Sequence, residues 1–376
     1  MNTQKPNIYM DCNATMPVRP EAVDAMVSVL RETGNPSSIH AHGRLARRHV
    51  EDARQAVAAL VHTNPSYVFF TGGATESNNI VLRSYDGKRI LVSAIEHPSV
   101  IEVNRDAEKI PVGADGIVDL DALEKMILAG PIPALVSIML VNNETGIIQP
   151  IAEIVRLIRR ISPMTLVHTD AVQAAGRIKI DFSALQADFL SLSAHKMGGP
   201  QGVGALVMAP GAKIHKLTRG GGQEKRQRPG TENVAGIAGF GQAAAIAAAE
   251  IETFQMLAGL RDALESRLLA LEPRLRIIGR DSPRVANTTQ IALPGIAAET
   301  QLMALDLAGI SVSSGSACSS GTVKPSHVLE AMGIPENTAK GALRISLGWH
   351  TVKEDIDAFV TAWDHMHRRI KDKIAA

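Results

Sequence analysis

The chain has 376 residues, more than the roughly 250–300 over which one hydrophobic core keeps growing, so we expect two domains. Lys and Arg number 39 against 38 Asp and Glu, which leaves no basic excess for a phosphate backbone or an anionic membrane and makes nucleic acid and lipid poor partners. Hydrophobic residues make up 45% of the chain without an apolar run of about 18 residues, so we expect a folded protein and no membrane-spanning helix.

Short apolar, β-branched runs alternate with amphipathic helical patterns through the first two thirds of the chain. The predicted strands are 67–71, 89–93, 135–141, 166–169, 189–193 and 205–208, and the clearest predicted helices are 21–31, 44–61 and 151–161. This alternation predicts an α/β fold in which a mainly parallel sheet carries helices on both faces. Ligands of such sheets bind beyond the carboxyl ends of the strands, so we expect the chemistry there.

A second, smaller α/β unit is predicted toward the C-terminus. The stretch 243–271 has the pattern of one long helix that leaves the large domain, and further strands are predicted at 288–292 and 343–346. The predicted division is a large domain of residues 15–251 and a small domain of residues 1–14 and 252–376.

Only two cysteines, Cys12 and Cys318, are present, and two thiols form no disulfide framework. The N-terminus has no apolar stretch between a basic start and a cleavage site, as a secretory signal would. Both features favour a cytoplasmic location. His40 and His42 lie close together, but nothing nearby supplies the further ligands of a zinc site, so we expect no bound metal.

The first motif with chemical meaning follows the strand that ends at Thr71. Gly72 and Gly73 come next, and then a helix rich in small polar residues. Glycines allow a tight turn, and the free N–H groups at a helix start form an anion site. No lysine follows these glycines, which disfavours a nucleoside triphosphate. Taken alone, the segment is equally well explained as a capped helix.

Two charged residues also come directly after apolar strands. Asp170 follows the strand predicted at 166–169, where a carboxylate needs a partner; alone, it is as well explained as a helix N-cap. Lys196 follows the strand predicted at 189–193, where apolar surroundings make an amine lose its proton more readily, as a nucleophile must. The alternative for Lys196 is an ammonium group that reaches the surface.

Together, the anion site, the acid and the lysine are specific for one cofactor. Pyridoxal phosphate (PLP) needs an anion site for its phosphate, a carboxylate on its pyridinium nitrogen and a lysine for its aldehyde. The carboxylate keeps the ring nitrogen protonated, so that the ring accepts electrons from a substrate carbanion. The sequence therefore predicts bound PLP, with Asp170 and Lys196 among its ligands.

Further motifs, taken in chain order, resemble those of cysteine desulfurases of the NifS/IscS type over about residues 9–349. They are TGGATESNN (71–79), EHPSV (96–100), VNNETG (141–146), DAVQAAG (170–176), SAHKMGGPQG (193–202), GGGQE (220–224) with RPGTEN (228–233), SSGSACSSG (313–321) and LRISLG (343–348). The resemblance implies a fold-type-I PLP-dependent transferase with a seven-stranded sheet. It also implies a homodimer with active sites at the subunit interface, L-cysteine as substrate, L-alanine as product and an iron–sulfur scaffold or other protein as sulfur acceptor.

The resemblance also implies roles for individual residues. Lys196 would bind the aldehyde of the cofactor, Asp170 its pyridine nitrogen and Gln173 its phenolic oxygen. His97 would stack on the ring and move protons. Arg344 would bind the substrate carboxylate with its planar guanidinium, a geometry that lysine cannot reproduce. The remaining cofactor ligands would be Ala74, Thr75, Ser193 and His195 at the phosphate, Thr231 from the partner subunit, and Asn143 beside both the cofactor and the substrate carboxylate.

Cys318 stands in a run of Ser, Gly and Ala that has almost nothing to bury. Most free cysteines are buried small hydrophobes, whereas a thiol on such a loop has room to move and to react. With the resemblance, this predicts a thiolate that takes the sulfur of cysteine as a persulfide and carries it to an acceptor. A transient contact of Cys318 with an iron–sulfur cluster stays open, and Cys12 is interpreted as structural.

Three features depart from the family pattern. Relatives usually have Glu-Arg-Gly where this chain has Glu224-Lys225-Arg226, and a threonine is common where it has Met16. The chain also ends soon after Trp349. This short C-terminus favours the nitrogen-fixation branch of the family over the housekeeping branch. Two alternative classes stay open: a selenocysteine lyase or another PLP-dependent lyase or aminotransferase, and a non-catalytic binding partner on the same fold. The joint presence of the predicted catalytic residues argues against the second.

Overall fold

The computed structural model describes residues 7–314 and 326–375. The strands are β1 (Ile8–Tyr9), β2 (Val68–Thr71), β3 (Ile90–Ser93), β4 (Glu108–Ile110), β5 (Leu135–Ser137), β6 (Leu166–Asp170), β7 (Phe189–Ser193), β8 (Gly204–Met208), β9 (Arg276–Ile278), β10 (Thr288–Ala292), β11 (Ile310–Ser311) and β12 (Ala342–Ser346). The helices are α1 (Pro20–Leu30), α2 (Ala41–Leu60), α3 (Ala74–Arg83), α4 (Pro98–Ile101), α5 (Leu120–Leu128), α6 (Ile151–Ile161), α7 (Phe182–Leu185), α8 (Val234–Ala249), α9 (Ile251–Gln255), α10 (Leu257–Leu271), α11 (Ala298–Leu307), α12 (His327–Ala331), α13 (Glu336–Ala339) and α14 (Lys353–Ala375).

The large sheet has seven strands in the order β2-β8-β7-β6-β5-β3-β4. Neighbours from β7 to β4 run parallel, and β8 runs antiparallel to both β7 and β2. The reversal of β8 follows from its short connection to β7, because a parallel neighbour would need a longer crossover. The predicted α/β fold with a mainly parallel, seven-stranded sheet is confirmed.

The carboxyl ends of β2, β6 and β7 lie at the same edge of this sheet. β6 and β7 pair in parallel with Asp170 opposite Ser191, and β2 points the same way because β8 reverses direction between it and β7. The three predicted motifs of the sequence follow these strand ends: Gly72 and Gly73 after β2, Asp170 as the last residue of β6, and Lys196 just beyond β7. The topology therefore brings together segments that are far apart in the chain.

The C-terminal part of the chain builds two smaller sheets. β10 pairs antiparallel with β12 and β9, and β1 pairs parallel with β11. Met10 and Cys12 from the N-terminal segment share an apolar core with Phe359 and Trp363 of α14, whereas a separate, larger core lies beneath the seven-stranded sheet. The boundary predicted near residue 251 stays a prediction.

The prediction of one helix over 243–271 is wrong. The structure has α8, α9 and α10 in its place, because Glu250 leaves the helical conformation with φ −104° and ψ 9°. Among the described residues no single helix has the length and apolar composition to cross a membrane; the pair Val234–Ala249 and Ile251–Leu271 meets both conditions only together, and it bends by 68°. The strand predicted at 135–141 is also too long, since β5 ends at Ser137.

Three consecutive non-glycine residues, Glu224, Lys225 and Arg226, adopt left-handed backbone angles with φ of 44°, 54° and 67°. This conformation costs roughly 1–2 kcal/mol per residue, so neighbouring contacts must hold it. The buried Glu224 carboxylate accepts hydrogen bonds from Arg54 at 2.8 and 2.9 Å and from the Phe70 amide at 2.9 Å. A glycine at the third position would adopt this backbone without strain.

Replacement Glu224→Gln is expected to lower the free energy of unfolding by about 3–5 kcal/mol, because it removes the only buried carboxylate that pairs with the buried Arg54 guanidinium among the described residues. Urea unfolding followed by circular dichroism measures the effect. Glu51→Gln is the matched control, since the Glu51 carboxylate contacts the same arginine at 3.2 Å from a side chain that is 50% exposed. Its expected cost is about 1 kcal/mol or less. Equal losses for the two variants would contradict the argument.

Candidate active site

A cavity of about 1020 Å³ opens at the carboxyl ends of β2, β6 and β7. Its size is at the upper end of the range of small-molecule and cofactor pockets. The predicted site residues that line it are Ala74, Thr75, His97, Asn143, Asp170, Gln173, Ser193, His195, Lys196 and Arg344. Thr231 borders a separate cavity of about 150 Å³ instead, and Cys318 lies outside the described residues.

One side of the cavity is the start of α3. Gly73, with φ +145°, precedes the helix and offers no side chain to cap its first N–H groups, which stay available to an anion. Gly204 on β8 has to be a glycine as well, because a Cβ atom there would come within 2.7 Å of the Gly73 Cα. Glu76 lies in the same turn, but its carboxylate is engaged by Arg228 at 2.9 Å and by the Gly72 amide at 2.5 Å.

Asp170 is buried at the end of β6, and no helix begins directly after it, so the N-cap alternative does not hold. One carboxylate oxygen accepts from the Val172 amide at 3.0 Å and the other from Asn78 Nδ2 at 2.8 Å. The same Asn78 amide donates to Ser99 Oγ at 2.9 Å, and Ser99 Oγ lies 2.8 Å from His97 Nδ1. Asp170 and His97 are thus joined through Asn78 and Ser99, for which no role was predicted from sequence.

His97 caps α4, where its Nδ1 accepts the Ser99 amide at 3.1 Å. The surrounding protein lowers the pKa of His97, Lys196 lowers it further, and Asp170 acts against this. The imidazole is therefore neutral at pH 7 and able to accept a proton. Beneath the site, burial lowers the pKa of His168 to about 4, so this ring stays neutral between Ser137 and Ser191.

Lys196 ends a 3₁₀ turn directly after β7. Its Nζ donates to the carbonyl oxygens of Asn13 at 2.6 Å and Ala14 at 2.7 Å, both from the N-terminal segment. Burial, and then the charges of Arg344 and Arg177, lower its pKa to about 7. A large part of this amine is therefore neutral at physiological pH, which an attack on an aldehyde requires.

The rate at which the cofactor-free protein binds PLP covalently is expected to rise about tenfold per pH unit below pH 7 and to level off above it, since only the neutral amine reacts. Stopped-flow absorbance between roughly pH 5.5 and 9 measures this profile, with the midpoint set by the Lys196 pKa of about 7. A rate that keeps rising through pH 9, as for an amine at the ordinary value of 10.5, would contradict the assignment.

Arg344, on β12, is buried and faces the cavity from the smaller sheet. Its Nη2 donates to Asp11 at 2.7 Å and its Nη1 to the Asn143 carbonyl at 3.1 Å. Its Nε has no partner among the described residues. A guanidinium with one free edge, buried beside a cavity, is suited to a carboxylate ligand.

Two buried amide oxygens, Asn78 Oδ1 and Gln173 Oε1, also lack partners within residues 7–314 and 326–375. Gln173 lines the cavity, so its Oε1 is available for a polar group of a ligand, whereas Asn78 does not line it and is bonded to Asp170. The residue set fits PLP: an uncapped helix start for a phosphate, a carboxylate for a ring nitrogen, and a lysine with a lowered pKa for an aldehyde. No group of three or more possible metal-ligating side chains occurs in the described part of the chain.

Cys318 lies between Ser314 and Ser326, the nearest described residues on either side of it. Ser313 lines the cavity, and its backbone exchanges hydrogen bonds with that of Arg344 at 3.2 and 2.6 Å. On the far side, Ser326 Oγ donates to the buried Glu144 carboxylate at 2.6 Å. Cys12 is different: it is fully buried, and burial raises its pKa to about 12, so its thiol stays protonated.

Fold and cavity together define a PLP-dependent enzyme of fold type I. The family model of the aminotransferase class-V proteins matches residues 8–359. The cysteine desulfurase IscS of Dictyoglomus turgidum is 41% identical over 368 residues, covering 94% of this chain and 92% of the relative. The cysteine desulfurase of Cereibacter sphaeroides is 41% identical over 365 residues, covering 93% of each chain. The chain belongs to the class-V aminotransferase family and, within it, to the cysteine desulfurases.

Solved structures agree with this placement. The NifS-like protein from Rickettsia africae superposes with a TM-score of 0.90 at 37% identity, over 96% of this chain and all 100% of that one. A structure described as SspA in complex with cysteine superposes with a TM-score of 0.77 at 28% identity, over 93% of this chain and 100% of that one. The resemblance to the NifS/IscS type is confirmed.

Proposed function

We propose that the protein uses PLP to convert L-cysteine to L-alanine and takes up the released sulfur on Cys318 as a persulfide. The main support is the convergence of ten predicted site residues, from segments spread over the chain, on one cavity. Relatives named cysteine desulfurase at about 40% identity and a structural neighbour described as a complex with cysteine support the substrate. Iron–sulfur cluster assembly as the destination of the sulfur rests on the IscS-type relatives.

The contacts of Arg344, Lys196, His97 and Asp170 support a separate role for each of them in this reaction. PLP, when bound, supplies a ring that accepts electrons from the carbon atoms of the substrate. Arg344 holds the substrate carboxylate with the free edge of its guanidinium. Lys196 is the group that holds or releases a proton near neutral pH, because burial lowers its pKa to about 7. The neutral imidazole of His97 is available to accept one. Asp170, which Asn78 and the Val172 amide hold in place, would pair with the ring nitrogen.

The sulfur step is a balanced transfer between two thiols. The Cys318 thiolate attacks the sulfur of bound cysteine, an S–S bond forms and the C–S bond breaks. The carbon that loses sulfur gains a proton, so L-cysteine and a thiol become L-alanine and a persulfide. A second thiol, on an acceptor protein, then removes the terminal sulfur. We further propose a homodimer that supplies Thr231 to the neighbouring site, and a cytoplasmic location.

The test is incubation of the purified protein with L-cysteine, followed by assays of alanine and sulfide. Cys318→Ala is expected to form a coloured adduct with cysteine but no alanine, because the substrate binds while its sulfur has no acceptor. Cys12→Ala is the matched control and is expected to keep its turnover, since that thiol is buried and protonated. Full turnover of Cys318→Ala would favour an aminotransferase, and a strong preference for L-selenocysteine would favour a selenocysteine lyase.

A further inference from the structure

Asn13 is a junction of hydrogen bonds beside the cavity. Its carbonyl oxygen accepts from Lys196 Nζ at 2.6 Å and from Gln173 Nε2 at 3.0 Å. Its side-chain amide donates to the Asn143 carbonyl at 3.1 Å and to Thr288 Oγ1 at 3.0 Å. Asn13 therefore touches three residues to which cofactor-binding roles are proposed, although it carries no titratable group and lies far from them in the chain.

The strongest contact of the Asn13 side chain is with Arg177. The Arg177 Nη1 donates to Asn13 Oδ1 at 2.6 Å, whereas Asn287 and Thr288 approach the same oxygen only to 3.3 Å. Arg177 follows the turn after β6, where Gly176 has φ +74° and a Cβ atom would come within 2.8 Å of Ala247 Cβ. This tight turn sends the arginine inward instead of to the surface.

Arg177 is unusual because it is a buried cation with no carboxylate beside it. It is 1% exposed, it forms no ion pair with any described residue, and its Nε and Nη2 lack partners there. Burial lowers its pKa to about 10, so the guanidinium is still charged at neutral pH. An unpaired buried charge costs several kcal/mol, which a residue of purely structural function would avoid.

We propose that Arg177 is a positioning residue that acts through Asn13: it fixes the backbone carbonyl on which the Lys196 amine and the Gln173 amide are held. The proposal rests on the function proposed above for Lys196. The electrostatics agree with the geometry, because the Arg177 charge contributes to the low pKa of Lys196 after burial and Arg344. One buried cation thus both places the reactive amine and disfavours its protonation.

The test measures Lys196 itself, in the cofactor-free full-length chain. Acylation of Lys196 by acetic anhydride is followed across pH by mass spectrometry of the peptide that contains it. Arg177→Met is expected to raise the midpoint of this profile by about one pH unit, so that Lys196 reacts roughly fivefold more slowly at pH 7. Arg177→Lys keeps the positive charge, so its midpoint is expected to rise by no more than half as much as that of Arg177→Met.

Arg284→Met is the matched control. It also removes a buried guanidinium, but one that pairs with Glu265 at 2.8 Å outside the cavity. The midpoint of the Lys196 acylation profile in this variant is expected to equal that of the native protein. Asn13→Ala leaves Arg177 in place and is expected to weaken PLP binding about tenfold, with less than additive loss when combined with Arg177→Met. Circular dichroism establishes that each variant is folded.

The proposal would be overturned if folded Arg177→Met had the same Lys196 acylation midpoint as the native protein. It would also be overturned if Asn13→Ala bound PLP with unchanged affinity. The second variant decides the matter if the first does not fold. Neither measurement involves cysteine. The role proposed for Arg177 can therefore hold even if the protein does not desulfurate cysteine, and it can be wrong even if the protein does. The two proposals are therefore tested separately.

Discussion

Lys196→Ala is expected to lower the rate of alanine formation from L-cysteine by a factor on the order of 10⁵ or more, as when a covalent catalytic residue is removed. The replacement removes both the amine that binds the aldehyde of PLP and a group that transfers protons near pH 7. Among the described residues, the hydrogen-bond partners of Nζ are the carbonyls of Asn13 and Ala14, which only accept hydrogen bonds and cannot bind the aldehyde in place of the amine. Single-turnover alanine assays measure the loss.

A second readout separates chemistry from binding. Borohydride reduction followed by peptide mass mapping is expected to fix PLP to residue 196 of the native protein and to no residue of Lys196→Ala. Free PLP is still expected to bind the variant, because the phosphate and ring-nitrogen ligands are intact. Lys353→Ala, at an exposed lysine paired with Asp357, serves as the control and is expected to behave as the native protein. Covalent PLP at a different lysine would refute the assignment of Lys196.

Arg344→Lys is expected to raise KM for L-cysteine by about 30- to 1000-fold, the range for loss of one partner of a buried, hydrogen-bonded charge pair. A lysine ammonium is a point charge and cannot form two parallel bonds to a carboxylate. It also leaves fewer donors for the Asp11 carboxylate and the Asn143 carbonyl, which the guanidinium now holds at 2.7 and 3.1 Å. Steady-state kinetics with separate KM and kcat values measure the effect.

A substrate analogue tests whether the carboxylate is the group that Arg344 recognises. Cysteamine is cysteine without its carboxylate, so it is expected to bind the native protein and Arg344→Lys with similar affinity, whereas cysteine discriminates strongly between them. Arg276→Lys, at an exposed arginine of β9 in the same small sheet, is expected to leave both ligands unaffected. Equal losses for cysteine and cysteamine would assign Arg344 a structural role only.

The sequence was sufficient for most strands and for the residues that follow them, although it missed the short strands β1, β4, β9 and β11. Apolar runs that end in a glycine pair, an acid or a lysine predict side chains at the carboxyl edge of a sheet, and the cavity forms there around Gly73, Asp170 and Lys196. The family motifs added His97 and Arg344, whose local sequences resemble ordinary turns and strands. These predictions work because each depends on a short segment together with one topological rule.

The residues that sequence reasoning missed act across long separations. Asp11 contacts Arg344, and Asn13 contacts both Lys196 and Arg177. These contacts join the N-terminal segment to residues far away in the chain, and no local pattern specifies them. Asn78 lies within the motif TGGATESNN. Its amide among the apolar residues of α3 was the one feature of the sequence that could have indicated its role. The break at Glu250 was missed because neither glycine nor proline marks it.

The order in which the ribosome makes this chain has a consequence for when the site becomes complete. Ile8 pairs with Ile310, and the Cys12 amide donates to the Ser346 carbonyl at 3.1 Å, so the stretch that supplies Asn13 is made early but gains these two partners only after β11 and β12 have emerged. The surroundings of the Lys196 amine are therefore completed late in synthesis.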